Sequence, residues 1–210
     1  MEILLKNINK SFKDRNVLKD LNLKIEEGEK LLLTGPSGIG KTTLLKILAL
    51  IDRDFTGEYY IDKKDISTYK EKDIEEIKRN ISYMFQEYAL IEDESVYENV
   101  LIPLYFSKSK DKESQIKKIL KIVQLDEYIN DKVSILSGGQ RQRVALARSL
   151  AVEKDIIILD EPINSLDIDL AKSILDWLME NYKNSTIIIT GHDIDFYKAY
   201  NFRIVNLNNF

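Results

Sequence analysis

The sequence predicts an α/β fold, a parallel sheet covered by helices, with a helical insertion. Three observations carry this. The apolar runs Leu31–Leu32–Leu33, Ile156–Ile157–Ile158–Leu159 and Ile187–Ile188–Ile189 show no alternation, as strands buried on both faces require. Stretches between them carry helical apolar spacing, for instance Leu170–Tyr182. The middle, Gln86–Ala151, holds no comparable run and reads as helical.

In chain order, Met1–Lys30 reads as short strands with turns. Leu21–Asn22–Leu23–Lys24–Ile25 alternates apolar and polar, the pattern of a half-buried strand, and a turn around Gly28 follows. The run ending at Thr34 enters a glycine-rich loop, Gly35–Gly40. From Lys41 to Asp52, Leu44, Leu45 and Leu48 recur at helical spacing, so the order is strand, loop, helix. Ser95–Val96–Tyr97–Glu98 has capping-box form and should open a helix. Lys112–Val123 sets Ile116, Ile119, Leu120 and Val123 on one helical face. The second apolar run ends in Asp160–Glu161–Pro162 and the third at Gly191–His192. The expected division is an α/β core over 1–85 and 155–210, interrupted by a helical part over 86–154.

Composition closes several routes. Among 210 residues there is no cysteine and one histidine, which excludes disulfide frameworks, cysteine metal sites and His-rich metal sites. Lys+Arg number 31 against 35 Asp+Glu, a net charge of −4, so charge suggests no nucleic-acid partner. No apolar stretch approaches the roughly 20 residues a spanning helix needs, and Met1–Lys10 lacks a secretory apolar region. The expectation is a chain that does not cross a membrane but can dock on a partner that does.

Three motifs carry chemistry. Gly35–Pro36–Ser37–Gly38–Ile39–Gly40–Lys41–Thr42 fits the phosphate-loop pattern. Its glycines let backbone N–H groups turn inward onto phosphate oxygens, and the following helix adds its positive end. Lys41 can reach the β- and γ-phosphates, and the Thr42 hydroxyl can ligate Mg²⁺. Asp160, at the end of a buried strand, can hold Mg²⁺ through water; Glu161, one residue on, can accept a proton from an attacking water. Leu136–Ser137–Gly138–Gly139–Gln140 combines a Ser/Gln capping box with two glycines that leave the first helical N–H groups uncovered, an anion site. Two anion sites and one nucleotide suggest that the second acts on the nucleotide of another subunit.

In this order, Gly35–Thr42, Leu136–Gln140 and Ile156–Glu161 resemble the ATP-binding-cassette proteins, specifically the nucleotide-binding subunit of an ABC transporter. The resemblance covers nearly the whole chain and implies a P-loop NTPase core with an N-terminal antiparallel β part and a helical signature subdomain. It extends nucleotide binding to Thr43 and implies roles for further residues. Phe12 stands where the family places an adenine-stacking aromatic, usually Tyr. Gln86 resembles the glutamine that senses Mg²⁺ and water and links to the membrane partner. Asp167, in Ser165–Leu166–Asp167, resembles a loop that crosses a dimer interface, and His192 the histidine that contacts the γ-phosphate. Two departures stand out: Gly191 replaces the usual Thr, and Ile163–Asn164 replace Thr and a small residue. The cluster Arg141, Arg143 and Arg148 reads either as support of the signature helix and dimer contact, or as a solvated helix face.

The resemblance implies hydrolysis of ATP with Mg²⁺. Two copies would face head to tail, each nucleotide held on Gly35–Thr43 of one copy and closed by Ser137–Gln140 of the other, with Glu161 as general base. An integral-membrane permease would be the second partner, docked near Tyr88, Ala89, Leu90 and Ile91, at the inner face of the membrane. The compact length resembles the lipoprotein-release, macrolide- and bacteriocin-export group. Open alternatives are a soluble cassette acting on ribosomes or DNA, a mechanotransmission ATPase on a membrane complex, and a module that closes on ATP without hydrolysing it.

Overall fold

The computed structural model describes residues 1–13, 15–107 and 109–209. In chain order the elements are β1 (Ile3–Phe12), β2 (Arg15–Ile25), β3 (Lys30–Thr34), α1 (Lys41–Leu48), β4 (Thr56–Ile61), β5 (Lys64–Asp65), α2 (Glu71–Arg79), β6 (Ile81–Met84), α3 (Val96–Leu101), α4 (Lys112–Ile122), α5 (Gly138–Ser149), β7 (Ile156–Leu159), α6 (Ile168–Asn181), β8 (Thr186–Thr190), α7 (Ile194–Lys198) and β9 (Arg203–Asn206). They fall into two compact units. One comprises Met1–Tyr83, Lys154–Asp160 and Asn184–Phe210; the other Met84–Glu153 and Glu161–Lys183.

The first unit holds two sheets. An antiparallel sheet runs β2-β1-β4-β5 and a second sheet β6-β7-β8-β3-β9. Within the second, β7–β8, β8–β3 and β3–β9 pair in parallel. The three apolar runs of the sequence are β3, β7 and β8, and β7 and β8 are buried throughout. Ile3, Leu5, Ile8, Leu31, Leu33, Leu44, Leu45, Ile156, Ile158 and Ile188 form one core. Each such fully buried side chain contributes about 1.5–3 kcal/mol against an exposed reference. Register sets the site: Leu33 lies opposite Thr190, and Leu159 opposite Ile189, so the C-terminal ends of β3, β7 and β8 meet at one edge. That is where parallel α/β sheets bind ligands.

The opening segment differs from the expected short strands. β1 and β2 run for 10 and 11 residues. Three register shifts interrupt their pairing, and such bulges break the alternation that would reveal a long strand. α1 stops at Leu48 rather than Asp52, because Leu50 turns left-handed (φ 57) and ends the helical path.

The second unit is helical, as its sequence predicts; an isolated bridge between Ser95 and Lys132 is its β pairing among the described residues outside the named strands. Ser95 accepts a hydrogen bond from the Glu98 amide and caps α3, and α4 buries Ile116, Ile119 and Leu120. The expected division placed residues 161–183 with the α/β core, whereas they cluster with the helices. α6 packs on α4, and the Tyr182 hydroxyl donates to the Leu150 carbonyl. The apolar face of α6 (Leu170, Ile174, Leu178) suits any apolar partner, so its sequence does not announce which one it takes.

Candidate functional site

The phosphate loop leaves β3 and enters α1. Gly35 (φ 140), Gly38 (φ 75) and Gly40 (φ 112) occupy the region that side chains avoid. At Gly40 space matters as well: a Cβ would lie 2.9 Å from Val17 Cγ1 and 3.0 Å from the Val17 carbonyl oxygen. Lys41 is buried, and its ammonium donates to the carbonyls of Gly35 (2.7 Å) and Pro36 (3.2 Å). Arg15 reaches the loop from β2, donating to the Gly38 carbonyl at 3.1 Å.

Asp160, at the end of β7, accepts from two hydroxyls. Thr42 Oγ1 donates to Oδ2 at 2.7 Å, and Thr190 Oγ1, at the end of β8, to Oδ1 at 2.6 Å. Sequence reading picked Thr42 and Asp160; it missed Thr190, which only strand register brings to the carboxylate. Burial, aided by the charge of Asp160, pushes the Tyr83 phenol above its ordinary range. The pair of Thr42 and Asp160 is a hard, oxygen-only donor set. It fits Mg²⁺, which keeps several waters and is completed by substrate phosphates. Among the described residues no group of three or more His, Cys, Asp or Glu forms a self-sufficient metal cage.

Phe12 is 52% exposed at the end of β1. The Lys10 ammonium stands 4.9 Å from its ring centroid and pairs with Asp52 and Asp54. His192 is exposed just after β8. Its neighbour explains one departure from the family pattern. A Cβ on Gly191 already lies 2.8 Å from Cε2 of the buried Tyr197 ring, so the space of a Thr side chain is taken.

The remaining predicted residues lie in the second unit. Gln86 is exposed, and the chain after it is tightly held. Tyr88 (φ 61) and Ala89 (φ 49) turn left-handed, and their carbonyls accept from the Arg148 guanidinium. Asn99, fully buried, accepts from the Ile91 amide at 2.9 Å and donates back to its carbonyl at 3.0 Å. The Ser137–Gln140 capping box forms: Ser137 Oγ accepts from the Gln140 amide, and Gln140 Oε1 from the Ser137 amide. A Cβ on Gly138 or Gly139 would meet no atom of the described residues within 4 Å, adjacent residues and the helix's own backbone aside. Neither has a positive φ, so the chain's own fold does not demand glycine there. Asp167 caps α6, accepting from the Leu170 amide at 2.9 Å.

The three arginines are not a solvated face. Arg141 donates to the Leu136 and Ser134 carbonyls, Arg143 to those of Val123 and Gln124, and Arg148 to those of Tyr88 and Ala89. Burial draws the Arg148 guanidinium below its ordinary pKa. They brace the signature helix inside its own unit, the half of the first reading that concerns support.

Glu161 adopts a left-handed backbone (φ 53), unusual for a side chain of its size. The Gln142 amide on α5 donates to its carbonyl at 2.9 Å. Sequence reading passed over Gln142, since a polar residue within a helix carries no signal by itself.

A family model described as ABC transporter matches residues 18–164. The sulfate/thiosulfate import ATP-binding protein CysA of Mannheimia succiniciproducens is 37% identical over 99% of this chain and 59% of its own length. The spermidine/putrescine import ATP-binding protein PotA of Fusobacterium nucleatum is 39% identical over 91% of this chain and 51% of its own. The chain thus spans between half and three fifths of these curated relatives. Among solved structures, the ATP-binding cassette MJ0796, a dimer in a post-hydrolysis state bound to ADP and Pi, superposes with a TM-score of 0.82 at 34% identity, covering 92% of this chain and 89% of that one. The expected export-type subgroup finds no support, because both named curated relatives are import proteins.

Proposed function

Because the chain belongs to the ABC transporter family, we propose that it is the ATP-binding and ATP-hydrolysing subunit of a transporter, which drives a membrane permease through ATP-dependent closure of a dimer. One observation carries this reading: the phosphate-loop hydroxyl of Thr42 and the strand-end carboxylate of Asp160 meet at 2.7 Å. The nucleotide's phosphates lie on the inward amides of Gly35–Thr43, with Lys41 as the fixed positive charge and Phe12 as the adenine platform. Thr42, Asp160 and Gln86 would hold Mg²⁺, which when bound neutralises phosphate charge. Glu161 takes the proton of the attacking water, a role that typically supplies about 10²–10⁴-fold in rate. His192 contacts the γ-phosphate.

A second copy completes the site. Gly138 and Gly139 open onto space that no described residue fills, which supports an outside group approaching the α5 amides. We assign that group as the γ-phosphate of the opposing copy's ATP, with Ser137, Gln140 and Asp167 at the same junction. The dimeric state of the similar cassette supports this arrangement. No helix among the described residues is long and apolar enough to cross a membrane, which fits a subunit held at the inner face by its permease. The exposed Ile91 and its neighbours Tyr88, Ala89 and Leu90 form the docking rim, and the relatives' names support import as the direction.

The test is Glu161→Gln. It should retain ATP binding, lose about 10²–10⁴-fold in phosphate release and accumulate an ATP-bound dimer in light scattering. Turnover near that of the unaltered protein would overturn the assignment.

A further inference from the structure

Gln142 is 3% exposed, on the first turns of the helix that begins at Ser137. Its Nε2 donates to the carbonyl of Glu161 at 2.9 Å, and its Oε1 is buried and accepts no hydrogen bond among the described residues. The orientation of the amide follows from its partner, since the opposite one would set two carbonyl oxygens against each other. A buried amide with an unpaired Oε1 is a poor choice for packing alone, because an apolar side chain of the same length would bury no such oxygen. The bond it does make falls on a left-handed residue, and such a backbone persists only where its surroundings hold it.

We propose that Gln142 is a positioning residue for the general base and couples the two nucleotides of the sandwich. This rests on the reading of Glu161 as base and of Ser137–Gln140 as the cap on the opposing copy's phosphate. Gripping the Glu161 carbonyl fixes the backbone from which the carboxylate projects. Gln142 also stands two residues beyond Gln140, on the rigid helix whose tip meets the other nucleotide. Displacement of that tip is therefore passed through Nε2 to the base of the same chain, so each site senses the occupancy of its neighbour.

The test is a double-mutant cycle of Gln142→Met and Glu161→Gln in the full chain, read as kcat, KM and the Hill coefficient of ATP hydrolysis, with thermal melting as a fold control. Gln142→Met should lower kcat about 10–100-fold, the scale of a misplaced catalytic group, with KM unchanged and the Hill coefficient falling toward one. In the Glu161→Gln background the same change should cost less than about 2-fold, because a missing base cannot be misplaced further. Equal losses in both backgrounds, or a rise in KM alone, would overturn the proposal and leave Gln142 a packing residue. Should the Met variant fail to fold, Gln142→Glu carries the same cycle, since an ionised carboxylate has no proton to donate. Failure of the parent reading looks different: Glu161→Gln alone would then keep its turnover.

Discussion

Thr42 and Asp160, 118 positions apart in the chain, meet through a 2.7 Å hydrogen bond between hydroxyl and carboxylate. Thr190 holds the other oxygen of the same carboxylate. The start of α1 and the ends of β7 and β8 are thereby fixed at one group. Asp160 cannot rotate without breaking a bond to one of them.

This arrangement predicts how metal dependence responds. Thr42→Val keeps the shape of the side chain and removes its hydroxyl. Apparent Mg²⁺ affinity in an ATPase titration should fall. Thr190→Val leaves the proposed ligands in place and loosens only the orientation of Asp160. It should weaken apparent affinity by about 10–100-fold, the usual cost of losing a group that orients a ligand. Unaltered Mg²⁺ curves in both variants would contradict the assignment.

Lys41, the proposed fixed charge for phosphate, sits buried with its ammonium on the Gly35 and Pro36 carbonyls, 2.7 and 3.2 Å away. Hydrogen bonds to charged groups contribute about 1.5–3 kcal/mol, so Lys41→Ala should weaken ATP binding by about 10–150-fold in calorimetric titration.

Gly191→Thr should destabilise the fold. The added Cβ falls 2.8 Å from a ring that is itself 1% exposed, and overpacking of this kind costs about 1–3 kcal/mol. Thermal melting should show the loss, and the further change Tyr197→Leu should recover part of it by vacating the space.

Arg148→Met should release the carbonyls of Tyr88 and Ala89 while keeping most of the side chain's bulk. Amide exchange should rise over residues 86–91, because the bonds lost hold that loop to α5 within the helical unit. Protection that is unaltered there would mean the arginine does not hold the loop.

Much of this was legible in the sequence. β3, β7 and β8 announced themselves because strands buried on both faces need unbroken apolar runs. The α5 start was readable because a capping box is a local device, written in residues 137 and 140 alone. What stayed hidden depends on distant neighbours. Thr190 and Gln142 look like any strand-end threonine and any helical glutamine until register and packing set them against Asp160 and Glu161. The length of β1 and β2 was masked by bulges, and the allegiance of α6 by an apolar face that names no partner. The three arginines suited a wet surface equally well, and only their carbonyl partners decide the matter.

The contact between Gly191 and Tyr197 also bears on how such a chain can change over generations. A lineage carrying the bulky ring takes threonine beside its histidine only at a cost in stability, since that replacement collides with a core aromatic. If the aromatic shrinks first that collision is avoided, but while it is small an unfilled space weakens the chain. The two positions are thus coupled by volume, and what position 191 tolerates in this chain is set by the residue six places downstream.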